Sequence, residues 1–198
     1  MKDAQVNELL YQALETELGG VKVYQTAIRC TVNEDLRTEW QDYLEETENH
    51  VRIVNDIFSQ LDLDPAVETT GRAIVRAKGK ALISAMETAL ESGDMSNAQL
   101  VAAECVVDAE IKDHANWELI GEVAKELSGD HAQVLQDAYE LVEEEEDEHL
   151  YHTQGWAREL WFESLGLPSV LSPPEEQKKV KTAIGASRAE QSREDYVD

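Results

Sequence analysis

Basic residues are scarce in this chain, with 17 Lys and Arg against 42 Asp and Glu, for a formal net charge of -25 over 198 residues. A surface of that sign repels phosphate-rich partners, so no nucleic acid and no anionic membrane is expected to bind it, whereas metal cations are drawn towards it. The same charge also serves plain solubility. Cysteine is nearly absent: Cys30 and Cys105 lie far apart inside helical patterns and form no CxxC pair, so this chain alone builds no thiolate metal site. Two buried, reduced thiols are the expectation. Long apolar runs are missing as well. No stretch approaches the ~20 uncharged apolar residues of a membrane span, and the opening MKDAQVNELLYQ has no apolar signal core, which leaves a cytoplasmic location as the expectation. No segment alternates with the two-residue period of a strand, so the class is all-α.

Against these absences stands one dense stretch, Val142 to Trp156, reading VEEEEDEHLYHTQGW. It places Glu145 and Glu146 four and three residues ahead of His149, and positions i, i+3 and i+4 share one face of a helix. A carboxylate and an imidazole stacked in this way grip a divalent cation from one side. Six consecutive acids also make an ordinary solvated face, and the stretch alone does not separate the two readings. The constellation recurs, however. In LEETENHVRI, aligning His50 with His149 superposes Glu45 and Glu46 on Glu144 and Glu145. Each of these segments follows a helix-like stretch with a glutamate seven residues before an aromatic, Glu17 with Tyr24 and Glu110 with Trp117. The chain therefore reads as one two-helix unit used twice.

Taken in order, Val6 to about Thr31 is a helix with the stripe Leu10, Leu14, Glu17, Val21, Tyr24 and Ile28. An acid within an apolar stripe is costly unless paired or bound to metal. Asn33 is the expected N-cap of a second helix, running to about Leu61 before Asp64-Pro65 stops it. A shorter helix spans Arg72 to Leu90, its face read through Ile74, Ala81, Leu82, Ala85 and Ala89. A long one spans Met95 to Leu127, with the stripe Ala103, Val107, Glu110, His114, Trp117 and Gly121. Asp130 is the expected N-cap of the last long helix, which ends near Ser164 ahead of Gly166-Leu167-Pro168. Residues 1–168 form the expected helical body. Residues 169–198 form a mostly polar tail, either wrapped on the body or mobile, with room for a short helix between Glu175 and Ala189. The short first and last connections force antiparallel neighbours, and the long middle one allows a crossover containing the extra helix.

With four of the five histidines on or beside these stripes, the sequence resembles the ferritin-like superfamily of di-iron and di-manganese carboxylate proteins, which includes bacterioferritins, rubrerythrins and manganese catalases. The resemblance covers about residues 5–165 and implies an antiparallel four-helix bundle with one long crossover. That superfamily takes a Glu from its first and third helices and a Glu-x-x-His from its second and fourth. Glu17 and Glu110 match the single glutamates, and Glu146-x-x-His149 matches the fourth-helix motif. The second helix departs from the pattern, because Thr47 stands three residues before His50. By the resemblance, Glu17, Glu110, His50 and His149 are terminal ligands of iron or manganese, and Glu46 with Glu145 or Glu146 are the bridges. His114 is an extra potential ligand. The implied activity is oxidoreduction of dioxygen or peroxide, with a separate electron donor and a homo-oligomer such as a dimer. Two other readings stay open: iron storage in a ferritin-type cage, and a helical interaction module with a degenerate site.

Overall fold

The computed structural model of the chain describes residues 3–197. Within them are seven α-helices, a closing 3-10 turn and no strand: α1 (Asp3–Cys30), α2 (Glu34–Gln60), α3 (Thr70–Glu91), α4 (Met95–Glu126), α5 (Asp130–Ser164), α6 (Pro174–Gln177) and α7 (Ala183–Gln191). No described helix is long and apolar enough to cross a membrane.

Local chemistry sets most of the ends. Asn33 accepts hydrogen bonds from the amides of Asp35 and Leu36 and so starts α2. Thr69 and Asp94 cap α3 and α4 in the same manner. The start of α5 departs from expectation, because Asp130 is its first helical residue. The cap position belongs to Gly129, at φ 80° with no side-chain cap, since a chain turning this tightly needs a left-handed residue there.

Long-range pairs fix how the helices run. Tyr11 meets Phe58 and Tyr24 meets Tyr43, so α1 and α2 are antiparallel. Asn116 bonds Thr16 while Gln99 accepts from the amides of Val32 and Asn33, which makes α1 and α4 antiparallel. By the same logic α2 opposes α5 through Glu39 with Trp156 and His50 with Glu145. α4 opposes α5 through Glu104 with Trp161 and His114 with Asp147. Four long helices thus close a ring of antiparallel contacts in the order α1, α2, α5, α4. α2 and α4 then run the same way, and the chain must travel the length of the ring between them. α3 makes that journey on the outside, parallel to α1, as Thr69 with Glu8 and Arg76 with Glu15 show.

The outer helix is anchored by charge as much as by apolar contact. Ile74, expected on its inner face, is exposed, and Arg72 is buried instead. Arg72 Nε donates to Glu15 Oε2 at 3.1 Å, and its Nη1 donates to the carbonyls of Pro65 and Val67 at 2.6 and 2.9 Å. Removing one member of a buried pair strands the other. Arg72→Ala should therefore destabilise the protein by about 2–3 kcal/mol, less than complete loss of a buried pair because Arg76 still serves Glu15. Urea denaturation at neutral pH checks this, and a change within the error of the measurement would contradict the anchoring role.

Inside the ring, two apolar clusters are separated by a polar layer. Leu10, Leu14, Val54, Phe58, Trp117, Leu135 and Val142 belong to one, and Val23, Tyr24, Trp40, Val106 and Trp156 to the other. Glu17, His50, Glu110, Glu146 and His149 fall between them on all four helices, and all five are buried.

The C-terminal segment wraps the body. Arg158 on α5 holds Glu175 through two bonds of 2.6 and 2.8 Å, Arg193 returns to Glu159 at 2.9 and 3.0 Å, and His152 Nε2 donates to the Val180 carbonyl at 2.9 Å.

Candidate metal centre

The polar layer holds two groups of donors. Atoms of Glu17, His50 and Glu146 lie within 4.8 Å of one another, and so do atoms of Glu110, His149 and Glu146. Glu146 is common to both and stands between them. One glutamate and one histidine flank it on each side, the first pair from α1 and α2 and the second from α4 and α5.

Both imidazoles point the same ring nitrogen inward. His50 Nδ1 is 3.0 Å from Glu146 Oε1 and 3.8 Å from Glu17 Oε2, while His149 Nδ1 is 3.8 Å from Glu110 Oε2 and 3.9 Å from Glu146 Oε1. The short His50 contact lies off the direction of a hydrogen bond, so both Nδ1 atoms, with Glu17 Oε2, Glu110 Oε2 and Glu146 Oε2, are buried without a hydrogen-bond partner. Buried polar atoms are seldom left unpaired, and atoms clustered in this way could hold a metal ion.

The outer nitrogens are held crosswise. His50 Nε2 pairs with Glu145 Oε2 and His149 Nε2 pairs with Glu46 Oε2, both at 2.7 Å. That hydrogen bond to His50 lowers the Glu145 carboxyl below its usual range, so it is ionised and can only accept. A proton then sits on His50 Nε2, so Nδ1 is the ring nitrogen that faces the inner carboxylates. Burial, followed by the nearby His50, holds His149 neutral down to about pH 3. Glu46 is pushed up to about 7, first by desolvation and then by the Glu145 charge.

The glutamates have their own supports. Trp117 Nε1 donates to Glu17 Oε1 at 2.7 Å, and the Tyr24 hydroxyl faces Glu110 without meeting hydrogen-bond geometry. Each aromatic of the repeated Glu-x6-aromatic pattern thus faces the glutamate of the other repeat, and Trp117 bonds to it. Burial raises Glu17 and Glu110 well above the ordinary carboxylate range, with the neighbouring acids adding to it, and takes Glu146 to about 8.

Of the residues singled out from sequence, Glu17, His50, Glu110, Glu146 and His149 converge. Glu46 and Glu145 do not join them. They lie behind the imidazoles with side chains 36% and 38% exposed, so of the three residues that the resemblance offered as bridges only Glu146 stands between the two groups. His114 also stands apart. Its Nε2 pairs with Asp147 at 2.7 Å on the outer side of α4. In its place on the inner face is Asp113, 4% exposed, with Oδ1 unpaired. Burial and then Glu146 raise its carboxyl well above normal, and its charge acts in turn on Glu17 and Glu110. The signal for Asp113 was its i+3 spacing from Glu110. The expected stripe ran through Val107 and His114, whereas the buried one runs through Val106 and Asp113.

Fold and site together define an all-α protein with a buried, thiolate-free carboxylate and histidine donor set. Residues 6–153 match the family described as a domain of unknown function, DUF892, and the chain belongs to that family. No curated protein and no solved structure matches it.

Proposed function

We propose that this is a ferritin-like protein whose interior binds two iron or manganese ions and that it acts as an oxidoreductase on dioxygen or peroxide. Glu17, His50 and Glu146 would serve one ion, and Glu110, His149 and Glu146 the other. The observation that carries the reading is the pair of donor groups sharing Glu146, with five inward-facing atoms that lack any protein partner. The ring of antiparallel helices with α3 as its outside crossover supports the same superfamily. Oxygen and imidazole donors without thiolate suit iron and manganese.

Charge supports two cations. Glu17, Glu110, Asp113 and Glu146 are four carboxylates enclosed together, and ionised they would carry about four negative charges in a low-dielectric interior. Two divalent ions balance them. Asp113 is the carboxylate that completes this count, and it compensates for Thr47 on α2. When bound, such a pair of ions supplies two-electron exchange with a small oxidant. The chain's own residues orient the donors. Glu145 and Glu46 fix the imidazole planes, Trp117 fixes Glu17, and the two apolar clusters keep bulk water from the layer.

Because burial leaves Glu146 protonated below about pH 8 and raises Glu17, Glu110 and Asp113 as well, metal must displace protons. His149 stays neutral to about 3 and does not add to the competition. Binding should thus weaken as pH falls through 8 and release at least about one proton per chain at pH 7. Calorimetric titration with Mn(II) in buffers of different ionisation enthalpy measures the release, and metal analysis after dialysis measures the content. Glu17→Ala with His149→Ala should abolish retention while helix content survives. Unchanged metal in that double variant would place the ions elsewhere.

A further inference from the structure

We infer that the cleft between α4, α5 and the C-terminal segment is the entrance to this centre, and that residues 180–183 are a roof restricting it to small solutes. The inference rests on the metal-centre reading for what passes through, but its geometry stands by itself. The cleft encloses about 150 Å³ and is lined by Trp117, Tyr139, Glu146, Tyr151, Thr182 and Ala183, with His114 at its side. Glu146 and Trp117 are almost completely buried, so the cleft is a path from the surface to the donor shared by both groups and to the indole that holds Glu17.

The roof is tied on three sides. The Val180 carbonyl accepts from His152, Lys181 Nζ reaches Glu144 at 3.1 Å and Glu148 at 2.9 Å, and Thr182 caps α7 through the Gly185 amide at 3.1 Å. Ala183 contributes only a methyl group to the lining. On the opposite wall, Tyr139 lies flat over Gly121, where an added Cβ would come within 2.8 Å of its ring. These residues at 180–183 fall outside the family match at 6–153. The volume is about half the ~300 Å³ at which pockets for ordinary organic ligands begin and holds roughly five waters. A partly hydrated cation or a peroxide passes through such a space, and an organic substrate of metabolite size does not. Glu118, Glu143 and Asp147 on the wall, with His114 and the two phenols, favour a cation or polar solute over an apolar gas.

The test uses the full chain and two variants outside the donor set, Ala183→Phe to fill the cleft and Lys181→Ala to loosen the roof. Two rates are read: Mn(II) uptake by metal-free protein, and acrylamide quenching of the Trp117 emission, taken as the difference from Trp117→Phe. Ala183→Phe should slow both by about tenfold with the final manganese content unchanged, and Lys181→Ala should speed both. If quenching follows the roof but no variant binds either Mn(II) or Fe(II), the entrance stands and the metal-centre reading falls. If manganese binds while both rates ignore the roof, the inference is overturned, and access lies on the α2–α5 side where Glu46 and Glu145 are exposed. Should Ala183→Phe not fold, Lys181→Ala decides alone: faster quenching supports the roof and an unchanged rate removes it.

Discussion

Glu146→Gln is expected to remove both metal ions at once, whereas Glu17→Ala should remove only one. Glu146 is the residue common to the two donor groups, and it sits 3.0 and 3.9 Å from the inward nitrogens of His50 and His149. An amide offers one neutral oxygen where the carboxylate offers two charged ones. The loss in affinity should exceed the ~100-fold ascribed to residues that merely orient a ligand. Without metal the sign reverses. The folded-state pKa of Glu146, about 8, lies above the ordinary value of 4.5 that the unfolded chain regains. Below 4.5 both states are protonated and the residue is neutral in its effect. As pH rises from 4.5 through 8 the unfolded state releases its proton first, so the folded state loses stability over that window. Metal-free Glu146→Gln should therefore match the parent near pH 5 and exceed it in melting temperature by pH 8. Metal analysis after dialysis, paired with calorimetric melts at the two pH values, checks both halves. Two equivalents of metal retained by Glu146→Gln would refute the shared-ligand assignment.

That residue and its four companions are legible in the amino-acid sequence, and the reason is repetition. The alignment of His50 with His149, and of Glu17 and Glu110 ahead of their aromatics, places equivalent side chains at one level of an antiparallel ring. Most helix ends are legible for the same local reasons that form them, as at Asn33 and at Asp64-Pro65. Rotation about helix axes is not. On α4 the stripes through Val107 and His114 and through Val106 and Asp113 share Glu110 and Trp117, and both alternate steps of three and four. Only packing chooses between them. Val106 enters the apolar cluster beside Tyr24, and Asp113 follows it inward while His114 turns to Asp147. On α3 the misjudged face has another cause, since its contact with α1 is centred on the Arg72 to Glu15 pair, which a search for apolar periodicity does not register. The crossed support of the histidines escapes a reading of the sequence because it joins α2 to α5, where register depends on the whole ring. In a run of six acids, which one turns inward is settled by Val142 and Trp156 seating in separate clusters on either side.

Thr47 brings these points to an experiment. By sequence pattern, Thr47→Glu restores the superfamily motif and reads as harmless. The structure argues otherwise. Thr47 is buried, its hydroxyl donates to the Tyr43 carbonyl at 2.8 Å, and a Cβ placed on Gly20 would stand 3.2 Å from Thr47 Cγ2 and 4.0 Å from Asp113 Oδ2. Thr47 and Asp113 thus border the same small space beside Gly20, and under the proposed function Asp113 would supply from α4 the carboxylate that α2 lacks. The Thr47→Glu substitution puts a fifth acid into a layer whose four already resist ionisation. The metal-free single variant should lose about 2–4 kcal/mol from overpacking and desolvation. Asp113→Ala alone should weaken metal binding and relieve the metal-free protein. Combining Asp113→Ala with Thr47→Glu returns the count to four and vacates space for the longer side chain, so the double variant should recover most of the stability lost by Thr47→Glu and bind metal more tightly than Asp113→Ala. Residues sharing a site are non-additive in this way, with interaction free energies of about 0.5–3 kcal/mol. Chemical denaturation of the four metal-free proteins and Mn(II) titration of each complete the cycle. Additive effects in both measurements would show that Thr47 and Asp113 are independent, and Asp113 would then be a buried acid unrelated to the missing glutamate.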